Sequence, residues 1–454
     1  MMTFSLPRFL LFSLFSVFLS LPLTAQNTKE TNLVISNVEI FDGINESTFP
    51  GSVWIQGNKI KQVSTNSITL PADVDATEID GQGMFLMPGL IDAHYHTMFA
   101  TLPQVALLTS DIGFVNLAAG RNAEAMLQRG FTSVRDLGGP VFGLKKAIDA
   151  GIISGPRIFP SGAFLSQTGG HGDFRLPYEV PADGSKGLSY SERINAAAIA
   201  DGADEVLKRT REQLMLGASQ IKLMAGGGVS SVYDPLDVSQ YTVAEFRAAV
   251  DAAENWGTYV TVHAYTPRAI QNAIQGGVKC IDHGQLIDEE TAQLMAEKGI
   301  WWSLQPFIEE AGAVNTTLSP ESRAKQLEMY QGTDNAFALA KKYGIKTAWG
   351  TDVLFDASKA MKQGNELLKM KRWYSNFEIL RMATSVNGEL LALSGKRSPY
   401  AGKLGVIEEG ALADILLIQG NLLEDLSLIT KPSENLLLVI KDGKTYKNML
   451  SSGF

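Results

Sequence analysis

The sequence predicts an α/β protein: a (β/α)8 barrel of the TIM type, with a small β-sandwich built from both chain ends. Three observations predict it. Eight short apolar or β-branched runs alternate with helical stretches across residues 86–400. The flanks, 26–85 and 401–454, carry short strands and tight turns instead. Finally, histidines and an aspartate finish several of the eight runs, at the end where such a barrel gathers its functional side chains. Strand–helix alternation by itself would also fit a doubly wound sheet.

In chain order, residues 1–25 read as a secretory signal. Arg8 supplies the positive n-region, 9–23 the apolar core, and Leu23-Thr24-Ala25 a small-residue cleavage site before Gln26. The apolar run is short for a membrane span, which needs ~20 residues, and it contains Pro22. A periplasmic or secreted product with no stable span after cleavage is therefore expected. Cys280 is the only cysteine, so an intramolecular disulfide is impossible. The net charge of −9, with no basic run, argues against a nucleic-acid partner. A small-molecule substrate is expected, and a homo-oligomer is compatible with the sequence.

The N-terminal flank shows Asn32-Leu33-Val34-Ile35 and Val53-Trp54-Ile55 near the turn signals Asp42-Gly43 and Gly57-Asn58. The C-terminal flank repeats that texture in Ile415-Leu416-Leu417-Ile418 and Leu438-Val439-Ile440, before Asp442-Gly443. Neither flank can bury a sheet face alone, so the two are expected to pack together with the middle inserted between them. In the middle, strands are expected near 85–96, 132–137, 157–161, 220–224, 259–264, 280–283, 300–305 and 347–351. Helices are expected at 119–129, 193–216, 243–256, 289–298 and 323–343.

The first barrel strand ends in Asp92-Ala93-His94-Tyr95-His96. Alternate strand residues face one side, so His94 and His96 aim two imidazoles at one point, as a metal site requires. Four of the five histidines finish strands: His94, His96, His263 and His283. Asp352 closes the last strand with a carboxylate. Lys222 sits inside the apolar strand Gln220-Ile221-Lys222-Leu223-Met224. Burial favours its neutral amine, which can take up carbon dioxide as a carbamate; a lysine paired with an acid, or snorkelling to the barrel mouth, fits equally well. The run Gly226-Gly227-Gly228 lacks the Lys-Ser/Thr of a phosphate loop and reads as a flexible turn near the site. Arg135-Asp136, ending the second strand, fits a structural ion pair or a substrate contact, and the structural reading is favoured.

The order His-x-His, Lys, His, His, Asp resembles the amidohydrolase superfamily. The likeness is greatest to its imidazolonepropionase-related branch, with binuclear Xaa-Pro dipeptidases (prolidases) and ochratoxinase-like amidases. Pro88-Gly89-Leu90-Ile91-Asp92-Ala93-His94, His263-Ala264-Tyr265, Gly350-Thr351-Asp352, Ala383-Thr384-Ser385-Val386-Asn387 and Gly410-Ala411-Leu412-Ala413-Asp414 carry it. The resemblance implies one divalent metal held by His94, His96 and Asp352, and a second held by His263 and His283. Carboxylated Lys222 would bridge the two, and zinc is the family's usual metal. It also implies attack on an amide by a hydroxide bridging the metals, with Asp352 moving the proton. His171, in Gly169-Gly170-His171-Gly172, and Tyr265 are implied as substrate contacts. Expected substrates are dipeptides such as Xaa-Pro, or N-acyl amino acids. Alternatives on the same centre are a lactonase or phosphotriesterase-like hydrolase and an imidazolonepropionase-like cyclic amide hydrolase. A metal- or solute-binding barrel without catalysis would be expected to lack at least one strand-end ligand, and all are present.

Overall fold

Residue types at the strand boundaries explain how the flanks and the middle connect. The expected strand over 85–96 is two strands. β4 (Thr77–Pro88) belongs to the flanking sheet and β5 (Leu90–Tyr95) to the inner one. Gly89 makes the crossing. A Cβ there would lie 2.1 Å from Thr132 Oγ1, so only glycine fits between the two layers. The structure is a computed structural model that describes residues 31–180, 187–309 and 319–450. The expected signal segment 1–25 lies outside the described residues.

Strands from both flanks share one sheet. β1 (Asn32–Ile40), β2 (Phe49–Gln56), β3 (Lys59–Ser64) and β4 come from the N-terminal flank. Much later in the chain come β15 (Ile415–Ile418), β16 (Leu436–Lys441) and β17 (Lys444–Asn448). They form one seven-stranded sheet, ordered β17-β16-β15-β4-β1-β2-β3, in which β15 runs antiparallel to β4. The ladders of the described residues contain no second sheet of the expected sandwich. Period-two alternation, reset by a register irregularity between Leu436 and Leu438, divides the sheet's faces. Ile415, Leu417, Leu438 and Ile440 pack into a core with Ile35, Val53 and Ile55. Leu416, Ile418, Leu436 and Val439 join the main core instead. Arg157 fastens the two parts together. Its guanidinium donates to Asp414 at 3.0 and 3.1 Å and to Asp442 at 2.7 Å.

The inner strands are parallel and buried on both faces, which is why they read as continuous apolar runs. They are β5, β6 (Phe131–Asp136), β7 (Arg157–Pro160), β8 (Phe164–Ser166), β9 (Ala197–Ile199), β10 (Ile221–Met224), β11 (Val260–Ala264), β12 (Cys280–His283), β13 (Trp301–Leu304) and β14 (Thr347–Trp349). Helices at Ile112–Gln128, Phe142–Asp149, Ala203–Leu216, Val243–Trp256, Pro267–Gly276, Glu289–Glu297 and Pro320–Lys342 alternate with them. Val243–Trp256 matches its expected span because its ends are written locally. Thr242 and Glu245 form a capping box, and Gly257 closes the helix at φ +76°. The expected helix over 193–216 is broken. The small residues Ala197–Ile199 are drawn into the sheet beside β8, and helix resumes only at Ala203. Tertiary pairing there overrides helix propensity. Among the described residues no helix is long and apolar enough to cross a membrane.

Among the described residues the inner ladders fall into two sets, β5-β6-β7 and β14-β13-β12-β11-β10-β8-β9, and do not form a continuous ring. Side chains span both gaps. Gln220 Nε2 donates to Phe159 O at 2.8 Å and to Asp136 O at 3.1 Å. At the other gap Asn387 Nδ2 donates to Ile91 O at 2.7 Å and Trp349 O at 2.8 Å. Asp92 completes that seam by accepting from the backbone N–H of His94 at 3.1 Å and of Thr351 at 3.0 Å. The close approach requires Gly350, where a Cβ would stand 2.4 Å from His94 N. Gly350→Ala is therefore expected to push His94 out of place, lowering both metal content and thermal midpoint. Wild-type values for both, by metal analysis and calorimetry, would show that the seam yields without cost.

Candidate metal centre and active site

The inner strands and the loops that follow them bring together every side chain singled out above for the site. His94, His96, His171, Lys222, Tyr265 and Asp352, with His263 and His283, all line one cavity of about 530 Å³. Among the described residues His94, His96 and Asp352 form a donor set whose ligand atoms lie within 4.8 Å of one another. Asp352 Oδ1 stands 3.2 Å from His94 Nε2 and 3.3 Å from His96 Nε2. The remaining imidazoles continue the row. Ring centroids are 4.8 Å apart from His94 to His283, and 4.5 Å from His283 to His263.

The histidines are prepared as ligands. His96 Nδ1 faces Gly138 O at 3.3 Å, His283 Nδ1 faces Gln305 Oε1 at 2.7 Å, and His263 Nε2 faces Gly227 O at 3.0 Å. Each oxygen must accept, so each ring donates there and keeps a lone pair on its other nitrogen. Burial lowers the pKa of His94 to about 4, against the pull of Asp352, and carries His263 and His283 well below the usual histidine range. Neutral imidazoles result, the form that binds metal. Burial pushes the Asp352 carboxyl up, but the neighbouring histidines, His94 foremost, outweigh it and hold the group well below the usual range. Two of these residues hold left-handed backbone, His283 at φ +78° and Asp352 at φ +50°. Such strain costs about 1–3 kcal/mol and collects at working sites.

Lys222 is buried, and its Nζ lies 2.5 Å from Asp282 Oδ2. Burial lowers its pKa, with Asp282 opposing. The amine is thus paired with an acid in this structure. The other oxygen of Asp282 accepts from Arg135 Nη2 at 2.6 Å, and Thr261 Oγ1 donates to Oδ2 at 2.8 Å. Arg135 is structural, as expected, but its partner is Asp282 rather than the adjacent Asp136. Asp136 accepts instead from Thr97 N at 2.7 Å. The run 226–228 is not a loose turn. A Cβ on Gly227 would lie 1.8 Å from Pro235 O, and one on Gly228 would lie 1.9 Å from His171 Cε1. His171 itself is buried, its ring stacked on His263 with centroids 4.1 Å apart. Tyr265 stands edge-on to His263 at 4.9 Å. Asp282 and Gln305 escape sequence reading because their partners lie far along the chain.

Residues 85–446 match the sequence profile of the Amidohydrolase family. This chain belongs to the amidohydrolase family. The family is generally metal-dependent, and the His94–His96–Asp352 set suits that chemistry. The amidohydrolase is 33% identical over 375 residues to ochratoxinase of Aspergillus niger, spanning 80% of this chain and 75% of that protein. Among solved structures it is similar to a prolidase complexed with N-methylphosphonate-L-proline, at 36% identity and a TM-score of 0.83. That match covers 92% of this chain and all of the other. It also resembles a Xaa-Pro dipeptidase with methionine bound in the active site, at 28% identity and a TM-score of 0.79, over 92% of this chain and 100% of that one. These relatives place the α/β fold in the TIM-barrel superfamily. The amidohydrolase is a hydrolase acting on amide or peptide bonds.

Proposed function

We propose that this amidohydrolase is a secreted or periplasmic enzyme that uses two divalent ions to cleave a dipeptide such as Xaa-Pro or an N-acyl amino acid. The observation that carries the reading is the commitment of one nitrogen of His96, His263 and His283 to an oxygen acceptor, which leaves the other nitrogen's lone pair to a metal; that of His96 faces Asp352 Oδ1 at 3.3 Å. His94, His96 and Asp352 would hold one ion, His263 and His283 the other, and Lys222, as its carbamate, would bridge them. The donor set of imidazoles and carboxylate suits zinc, and also manganese or cobalt. When bound, the ions supply an acidified water and a Lewis acid for the scissile carbonyl.

The chain's own residues do the rest. Asp352, ionised at neutral pH, takes a proton from the attacking water and returns it to the leaving amine. His171 and Tyr265 contact the substrate beside the metal ligands. Phe99, Phe164 and Phe355 give the cavity an apolar side; its charged wall carries Lys359 and an Arg323 whose Nη2 is paired with Glu309 Oε1 at 2.6 Å. That division suits an apolar acyl or aminoacyl group joined to a residue with a free carboxylate. The inner strands are read as the staves of one (β/α)8 barrel spanning 86–400, flanked by a β-sandwich domain of 26–85 and 401–454. Residues 1–25 are read as the cleaved signal.

A panel of Xaa-Pro, Xaa-Arg, acyl-amino-acid, lactone and phosphotriester substrates tests the reaction. Amide cleavage with little lactone or triester turnover is expected; the reverse would replace this reading with the lactonase or triesterase one. Exhaustive chelation is expected to abolish turnover, and added zinc or manganese to restore it. Anomalous scattering should then find two ions per chain, with density beyond Lys222 Nζ. One ion, or a bare Lys222 in the fully active enzyme, would overturn the binuclear centre.

A further inference from the structure

The segment after β10 is built around His171. The imidazole is stacked on His263 at 4.1 Å, and a Cβ on Gly228 would lie 1.9 Å from its Cε1. Its Nδ1 is 2.7 Å from Ser231 Oγ and 3.5 Å from Asp234 Oδ2. Ser231 Oγ also reaches Gly228 O at 3.3 Å. Asp234 is buried; its Oδ2 accepts from Gly228 N at 2.9 Å and Gln240 Nε2 at 3.3 Å. Among the described residues its other carboxylate oxygen has no hydrogen-bond partner. The whole turn is pinned from outside by Lys325, on the Pro320–Lys342 helix. Its Nζ donates to the carbonyls of Gly228, Ser231 and Asp234 at 3.2, 3.1 and 2.6 Å. A histidine that merely filled space would not need a carboxylate, a hydroxyl and a glycine floor.

We propose that Ser231 and Asp234 are positioning residues that fix the tautomer and orientation of His171, leaving Nε2 as the nitrogen offered to the substrate. The inference rests on the reading of His171 as a substrate contact. A serine hydroxyl that donates elsewhere, to Gly228 O, and a buried carboxylate 3.5 Å from Nδ1 together favour the Nδ1–H tautomer. An imidazole held in the wrong tautomer cannot serve its substrate even when its position is unchanged. The imidazole is thus set before substrate arrives, so little orientation is lost at the moment of reaction.

The test uses the metal-loaded enzyme labelled with 15N in its histidine rings. Signals of His171 are those lost in His171→Asn. A single Nδ1–H tautomer is expected in the wild type. Asp234→Asn keeps the shape and removes the charge, Ser231→Ala removes the hydroxyl, and the two together are expected to give a tautomer mixture. Metal content should stay at the wild-type value. Each single change should lower kcat by about 10-fold or more, with KM nearly constant, and Asp234→Glu should recover part of the loss. An unchanged His171 spectrum in the double variant would overturn the proposal, as would loss of metal in either single variant. If His171→Asn lowers kcat and the double variant does not, only the positioning role fails. If His171→Asn leaves kcat unchanged, the substrate contact fails, and the positioning role with it. The spectra need no substrate, so they decide independently of the hydrolase reading.

Discussion

Asp352→Asn is expected to lower kcat by about 10²–10⁴-fold, the range lost when a positioned acid–base group is removed. The substitution isolates the chemistry. Asp352 holds φ at +50°, and asparagine tolerates that left-handed backbone better than other replacements. Its backbone N–H also donates to His94 O at 2.8 Å, a bond the variant keeps. The fold, and the seam between β5 and β14, should therefore survive. What is lost is the negative oxygen between His94 Nε2 and His96 Nε2, and with it a base for the water. Circular dichroism and metal analysis establish that the variant is folded and loaded. Near-normal turnover under those conditions would remove Asp352 from its role.

Asp282→Ala is expected to cost about 3–5 kcal/mol of stability, the usual penalty for removing one partner of a buried ion network. Asp282 is fully buried and stands between two cations, Arg135 Nη2 at 2.6 Å and Lys222 Nζ at 2.5 Å. Arg135 also donates to Ala93 O at 2.6 Å, the residue before His94. Without the carboxylate, two buried positive groups face each other below the histidines. The measurement is the urea midpoint of the metal-free protein, compared with Asp282→Asn. The asparagine variant retains an acceptor and should lose less. Equal midpoints for wild type and Asp282→Ala would show that the network carries no net stability.

These two residues also show what could be read from the chain. Asp352 was legible because it ends an apolar run, so a local pattern sufficed. His94 and His96 were legible through strand alternation, and Lys222 through its intrusion into an apolar strand. Asp282, next to His283, carries no local mark of its role. Its meaning depends on Arg135, 147 positions earlier, and on Lys222, 60 positions earlier, and no local pattern records such pairings. The glycines of 226–228 mislead for the same reason. Read locally they promise looseness, whereas Pro235 beside Gly227 and His171 beside Gly228 leave room at those two positions for glycine alone. The break in the expected helix at 193–216 is likewise a choice made by β8, which competes for Ala197–Ile199.

The shared flanking sheet sets a schedule for biosynthesis. β4 ends at Pro88, and its neighbour β15 begins at Ile415, more than 300 residues downstream. At roughly 5–20 residues per second, the ribosome needs tens of seconds to supply that neighbour. Until then one border of β4 offers bare amides and carbonyls to any passing strand. Chains interrupted before Ile415 should accordingly be aggregation-prone, and a chaperone that shields β4 would raise the yield of intact protein.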